Sequence, residues 1–431
     1  MSSAAVTAPA TACAVPPPSP GTSRGTTPPV SRARVNLALF ALGMATFGLL
    51  FSTQALLPDI TAAFSVRADQ ASWTVSATTL ALALAVLPLS ALSERLGRRR
   101  TMTVSVAAAV TLALAVPFAP DLTTLVALRA AQGVAIAGIP ASAVAYLSEE
   151  LPRRAVVGAV GLFIAGNSVG GMTGRVLSGW VAEGWGWRAG LAAIAALSLV
   201  CAAVFALLLP KARNFRPCSI RPGAVLRTVR GHLAQPLLLR LYAIGLLLMA
   251  AFSAVYTVIG FRLAEDPFGL SAGLIGSVFL IYLVGTGSSS ATGPAVERLG
   301  RRGALYVAVT TAVAGLLLTL SGRLAVVLVG LVLVTGGFFL GHAVASSAVG
   351  RTVTEGRAQA SALYQVAYYT GGSAGGTVGA LAYHHARWEG AVALALTALV
   401  LTAGITLHAT RRAVVAGRAA PGPATAVRTA G

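Results

Sequence analysis

The stretch Glu94-Arg95-Leu96-Gly97-Arg98-Arg99 returns unchanged as Glu297-Arg298-Leu299-Gly300-Arg301-Arg302, about 200 residues further along the chain. Around each copy the charge stops and a long apolar run begins. A helix needs about 20 mostly apolar residues to cross the hydrocarbon of a bilayer. Applied outward from the two copies, that length divides the chain into spans near 36–57, 70–92, 101–119, 123–147, 156–180 and 188–209. A second set lies near 241–261, 272–293, 303–320, 325–347, 360–382 and 389–409. Each hexapeptide falls between the second and third span of a set of six. The expected fold is an all-α membrane protein, with twelve transmembrane helices in two homologous six-helix bundles.

Composition supports the same solvent. The 431 residues are 56% hydrophobic and 10% charged, with a mean hydropathy of +0.79. A water-soluble core could not bury so much apolar surface, whereas a helix in lipid satisfies its backbone internally. The formal charge of +20 would suggest nucleic acid if the arginines shared one soluble face. Instead they cluster in alternate gaps between spans. The tails, the segment 210–240 and the gaps after spans 2, 4, 8 and 10 hold 25 Arg and Lys, against 5 in the opposite gaps. Basic loops stay in the cytoplasm, so both termini are expected there, in a multi-pass protein of the cytoplasmic membrane.

The expected organisation is a disordered cytoplasmic tail over 1–34, a first bundle over 35–209, a basic cytoplasmic linker over 210–240, a second bundle over 241–410 and a tail over 411–431. The first apolar run is long enough to remain as an anchor and does not read as a cleaved signal. Cys13, Cys201 and Cys218 form neither a disulfide framework nor a metal site. Gly285-Thr286-Gly287 lies inside an apolar span and does not read as a phosphate loop.

A second correspondence links Gly166-Asn167-Ser168-Val169-Gly170-Gly171 with Gly371-Gly372-Ser373-Ala374-Gly375-Gly376. These glycines are expected to be packing and flexing points at the interface of the two halves. With the doubled hexapeptide they make the chain resemble the major facilitator superfamily. That family's loop signature, G-x-x-x-D-[RK]-x-G-R-[RK], is met at Glu94, Arg95, Gly97, Arg98 and Arg99, with Ser90 in place of the first glycine. It is met again at Gly293, Glu297, Arg298, Gly300, Arg301 and Arg302. The family's R-x-x-Q-G appears as Arg129-Ala130-Ala131-Gln132-Gly133. An exporter motif ending G-P-x-x-G-G is matched from Gly166 to Gly171 with Asn167 for proline. With Gln54-Ala55-Leu56-Leu57-Pro58 and Gly170 to Arg175, the subgroup it looks like is the acriflavine-sensitivity exporter branch.

The resemblance implies roles for these residues. Glu94, Arg95 and Arg98 would be a conformational latch whose ion pairs form in one state and break in the other, with Gly97, Arg99 and the second copy in the same motif. Glu94→Ala is expected to shift the resting population toward the inward-facing state. Arg129, with Gln132, and Arg175 are charges inside spans, where a charge needs a partner or a wet cavity. They either couple protons or bind anions, or else bond backbone carbonyls with the head group snorkelling outward. Gln54, Asn167, Ser168, Tyr256, Tyr364, Gln365 and Tyr368 are the candidate lining of a substrate cavity, each of which can equally pack between helices. Tyr364 and Tyr368, four apart, share a helix face. No Asp or Glu falls in the middle of a span, which leaves Asp59, Glu183 and His342, near helix ends, as candidate proton carriers.

The expected activity is secondary active transport by alternating access: a proton-coupled exporter of small amphiphilic or cationic molecules, or alternatively a proton-coupled uptake symporter for a metabolite or organic anion. It implies a small-molecule substrate, a lipid bilayer, a proton gradient in place of any cofactor, no metal, no nucleic acid, a monomer and no enzymatic activity.

Overall fold

The computed structural model describes residues 31–212, 215, 222–353 and 356–419, and among them every regular element is helical. The helices are α1 (Arg32–Leu50), α2 (Leu57–Phe64), α3 (Ala68–Leu96), α4 (Arg98–Ala115), α5 (Leu122–Ala137), α6 (Pro140–Glu150), α7 (Arg153–Leu208), α8 (Pro222–Leu233), α9 (Pro236–Ala264), α10 (Ala272–Val278), α11 (Tyr282–Ser290), α12 (Thr292–Leu318), α13 (Leu324–Thr352) and α14 (Arg357–Ala419).

Ten helical runs among the described residues are long and apolar enough to cross a membrane. Two of them, 55 and 52 residues long, would reach about 80 Å if straight, far beyond the ~30 Å of hydrocarbon. Each turns back on itself where the backbone leaves the helical region, α7 at Gly186 (φ 81°) and α14 at Ala386 and Arg387. Twelve crossings result. Large apolar side chains face outward, among them Leu84, Phe118, Ile164, Leu207 and Val400, as lipid permits and water does not.

Several spans are made of two pieces. Span 1 breaks after Leu50 and restarts with Pro58 in the first turn of α2, where a missing N–H costs nothing. Span 4 breaks ahead of Pro140 for the same reason. Span 8 is divided between α10 and α11 by a short 3-10 turn at Phe279–Ile281. Domain boundaries shift accordingly. Helix begins at Arg32, within the expected tail, whose residues 1–30 lie outside the described residues. The expected linker carries α8 and the start of α9, with 213, 214 and 216–221 outside the described residues. The C-terminal helix continues to Ala419, into the expected tail, and 420–431 lie outside the described residues.

The repeat is visible in backbone geometry. Gly97 joins α3 to α4 at φ 97° and Gly300 bends α12 at φ 67°. The glycine of each hexapeptide thus sits where an L side chain is disfavoured. It is visible in packing too. A Cβ on Gly166 would lie 2.4 Å from Phe40 O, and on Gly170 2.2 Å from Met44 O. On Gly371 and Gly375 it would lie 2.1 Å from Leu246 O and 2.2 Å from Ala250 O. Small residues every fourth position let α7 close on α1, and α14 on α9. These glycines therefore seal helix pairs within each half. Of the glycines in these runs only Gly376, where a Cβ would lie 3.2 Å from Ser76 Oγ, meets the other half as the sequence suggests.

The rest of that interface is made by their neighbours. Gly179 of α7 and Gly276 of α10 touch backbone to backbone, and Ser373 Oγ donates to Ser76 O at 2.9 Å. At the end opposite the hexapeptide loops one apolar core runs through both halves, joining Leu56, Ile60 and Trp187 to Tyr256, Ile259 and Phe279. Toward the loops a second core belongs mainly to the first half, built on Leu39, Met102, Ile136 and Tyr146, and the second half reaches it through Tyr369. The molecule is closed at one end and parted at the loop end.

Candidate functional site

Arg129 stands on α5 with 1% of its surface exposed. Its Nε donates to Thr74 O at 2.9 Å, Nη1 to Leu49 O at 2.7 Å and Nη2 to Leu50 O at 2.6 Å, and Nη1 also donates to Gln132 Oε1. Gln132 Nε2 passes the contact on to Ala109 O of α4 at 3.1 Å. Because α1 stops at Leu50, its last carbonyls lose the regular helical ladder, Leu49 O keeps a long turn bond from Ser52 N at 3.4 Å, and the negative end of the helix attracts a cation. Arg129 caps it from another helix. Next to it, a Cβ on Gly133 would lie 2.1 Å from Thr78 O, so the motif's glycine sets α5 hard against α3. The guanidinium does not snorkel: no path to water is left once three carbonyls and Gln132 enclose it.

Arg175 lies on α7 with 2% exposed. Nε donates to Gln54 Oε1 at 2.7 Å and Nη1 to Gly171 O at 2.5 Å. Its guanidinium carbon sits 4.3 Å from the ring centroid of Phe51, 4.8 Å from that of Phe279 and 4.9 Å from that of Tyr282. Rings from both halves thus share one cation at the closed end, again without snorkelling. Beyond it Trp180 Nε1 donates to Ser277 Oγ at 2.9 Å. Glu183 Oε2 accepts from Ser271 Oγ at 2.9 Å and from Gly273 N at 3.0 Å, clasping α7 to the start of α10.

From Tyr282 an aromatic wall runs into the second half. Phe252 stacks on Phe338 at 4.0 Å, and Phe338 lies parallel to the His342 ring at 5.9 Å. His342 is 4.6 Å from Tyr368, and Tyr368 is 6.5 Å from Tyr364. The shared face expected for Tyr364 and Tyr368 is present. Tyr282, Phe339, His342 and Tyr368 are half-buried and form its accessible surface, while Tyr364 is buried. Tyr256 lies deeper, its hydroxyl 2.6 Å from Thr335 Oγ1. His342 is not at a helix end: α13 continues to Thr352, which places the ring about 15 Å inside it. Phe252, Tyr282, Phe338 and Phe339 went unnoticed in the sequence because apolar rings in a span carry no local signal.

At the loop end Arg98 Nε donates to Glu149 Oε1 at 3.0 Å and Nη1 to Ser93 Oγ at 2.7 Å, while Glu94 stands 3.9 Å away. The nearer carboxylate is thus Glu149 of α6, 51 residues along, which the motif does not contain. Arg95 is exposed and Arg99 half-buried, and Glu297, Arg298, Arg301 and Arg302 of the second copy are exposed. Asn167 lies against Gly43 of α1. Ser168 is exposed and donates to Ile164 O, Gln365 is exposed, and Asp59 is half-buried.

Two six-helix halves that share one closed end around buried charges and aromatic rings have the architecture of a membrane transporter. A profile of the Major Facilitator Superfamily matches residues 35–376. The chain belongs to that family, and is a multi-pass membrane transporter and not an enzyme. It is 38% identical over 375 residues to the uncharacterized MFS-type transporter YybF of Bacillus subtilis, covering 87% of this chain and 92% of that one. It is 36% identical over 377 residues to the inner membrane transport protein YnfM of Escherichia coli, covering 87% and 90%. Among solved structures, a bacterial homologue of the human lysosomal transporter Spinster, inward-facing and unoccupied, superposes with a TM-score of 0.72 at 16% identity, over 90% of this chain and 98% of that one. At that identity the likeness is one of fold.

Proposed function

We propose that the chain is a proton-driven exporter of small amphiphilic or cationic molecules, working as a monomer by rocking two six-helix bundles about a site at mid-membrane. The observation that carries this reading is the character of the accessible wall. Its half-buried surface is aromatic and uncharged by Asp, Glu, Lys or Arg, while both intramembrane arginines are withdrawn beneath backbone carbonyls and rings. An organic anion entering from the parted end would meet no free guanidinium, which argues against uptake of anions. The helix-5 glycine run, similar to that of exporter branches including the acriflavine-sensitivity group, favours the same direction. The loop charge bias puts the hexapeptides and both termini in the cytoplasm, so the parted end opens inward and the state is ready to load cargo from the cell. The hexapeptide loops act as the latch of the rocking motion, with Arg98 at its centre.

The test is accumulation of a panel of labelled dyes and metabolites in cells with and without the protein, before and after collapse of the proton gradient. Lower accumulation that disappears with the gradient supports export. Higher accumulation establishes uptake and discards it.

A further inference from the structure

The central stretches of the spans hold few groups able to change charge. Asp and Glu lie at helix ends, and Arg129 and Arg175 are fully engaged and stay protonated. What remains is His342, the side-chain type that takes and releases a proton near neutrality. Its surroundings select one tautomer. Tyr364 Oη is 3.0 Å from His342 Nδ1 and 3.5 Å from His342 O. Both contacts are satisfied together when Nδ1–H donates to Oη and the phenol proton points to the carbonyl. Nε2 is then a lone pair on a half-buried ring that lies against Tyr368 and Phe338.

We propose that the Nε2 edge of His342, within this wall, is where a proton and a lipophilic aryl cation exclude one another. The inference rests on the exporter reading and deepens it. Aromatic faces attract an apolar cation; an imidazolium among them repels it. Cargo therefore enters from the cytoplasm onto neutral His342. After its release outside, Nε2 takes one proton from the outer water, and that proton leaves to the cytoplasm when the next cation binds. One proton enters for each monovalent cation expelled. The other titratable groups facing the ring are the phenols of Tyr364 and Tyr368 on α14. Tyr282 of α11 stands beyond Phe338 and Phe339, with Arg175 of α7 beyond that ring. On the neighbouring turn, at Gly341, α9 and α12 present Leu248 and Ala308. No carboxylate lies on α9, on α13, or on α14 before Glu389. Tyr364 acts as a positioning residue.

The test is equilibrium binding of tetraphenylphosphonium to the purified full chain in detergent. Affinity is expected to fall about tenfold as the pH is lowered from 8.0 to one unit below the midpoint of the profile, as competition with one proton requires. His342→Gln is expected to bind equally at both. Tyr364→Phe is expected to keep binding at pH 8.0 and shift the midpoint of the pH profile. Unvaried protein, weakly buffered at the midpoint of that profile, is expected to release about half a proton per cation bound, a readout that needs no variant. A full tenfold pH effect in His342→Gln, or release of no proton, overturns the proposal. Binding of triphenylphosphine oxide but not of the cation overturns the substrate class. Failure of the exporter reading shows separately, as unchanged dye accumulation in cells by a protein that still binds the probe.

Discussion

Replacing Arg129 by methionine separates a strut from a coupling group, because methionine keeps much of the volume and removes every donor. Thr74 O, Leu49 O, Leu50 O and Gln132 Oε1 each lose a partner. Two are partly rescued: Leu49 O keeps Ser52 Oγ at 3.1 Å and Thr74 O keeps Thr78 Oγ1 at 3.1 Å. Among the described residues no other donor reaches Leu50 O or Gln132 Oε1. Two buried acceptors so orphaned cost about 1–3 kcal/mol each, and the weakened pair adds to it. Relief from burying a guanidinium offsets part of the sum. A net loss of about 2–4 kcal/mol follows, which for a unit the size of one six-helix half lowers Tm by about 10 °C. Arg129→Lys keeps the charge but not the fork, and should fall between. The assay is thermal unfolding in detergent followed by tryptophan fluorescence, alongside gradient-driven efflux by the same variants. If both variants melt with the unvaried protein while transport is abolished, the strut argument is wrong and Arg129 acts in coupling.

Three further outcomes follow from named contacts. Arg98 is 13% exposed and its partner Glu149 28%, against 37% for Glu94. Glu149→Gln is therefore expected to change cysteine accessibility at the loop end about fivefold and Glu94→Ala less than threefold, exposed pairs being weak; equal effects would restore Glu94 as the main partner. Because Arg98 pairs with Glu149 and Glu94 while that end is parted, loss of either carboxylate should deplete the parted state, the reverse of the shift toward the inward-facing state that the sequence motif suggests for Glu94→Ala. Gly170→Ala drives a methyl to 2.2 Å from Met44 O, whereas Gly158→Ala meets nothing within 4 Å. The first should abolish recovery of monodisperse protein and the second leave it unchanged, as size-exclusion chromatography will report. Glu183→Ala removes the acceptor of Ser271 Oγ and Gly273 N, and probes placed at the closed end should become several times more reactive; unaltered reactivity would mean that the clasp is decorative.

What the sequence made legible is what depends on local chemistry. Apolar length and loop charge found twelve crossings, and a glycine recurring inside two identical hexapeptides marked two positions of positive φ. What stayed hidden depends on partners brought by the fold. Glu149 reaches Arg98 only because α6 ends beside Gly97, a matter of helix angles. Gly166 and Gly170 announce a close approach but not to which neighbour, and the neighbour is α1. His342 looked terminal because hydropathy falls after Ala348 while the helix continues to Thr352. The breaks at Pro58 and Pro140 were readable as proline positions, yet apolar length alone runs straight across them.

The two arginines, both buried, divide the requirements of a rocking machine between them. A half that moves as a body must not deform, and Arg129 binds carbonyls of α1 and α3 and, through Gln132, α4, all inside the first half. Directional bonds of this kind hold only over tenths of an ångström. Arg175 has such bonds to its own half, through Gln54 and Gly171, but meets the second half only through the faces of Phe279 and Tyr282. A face contact weakens gradually as rings slide, and Phe51 of the first half stays with the cation when the others withdraw. The closed end can therefore open without leaving a bare charge in hydrocarbon, whereas the same motion imposed on Arg129 would orphan the end of α1. Exchanging the surroundings tests the distinction: Phe279→Leu should loosen the closed end with the melting temperature nearly kept, and Gln132→Leu should lower the melting temperature with the resting accessibility nearly kept. Were the two variants to show the same pair of effects, rigid half and sliding interface could not be assigned to separate arginines.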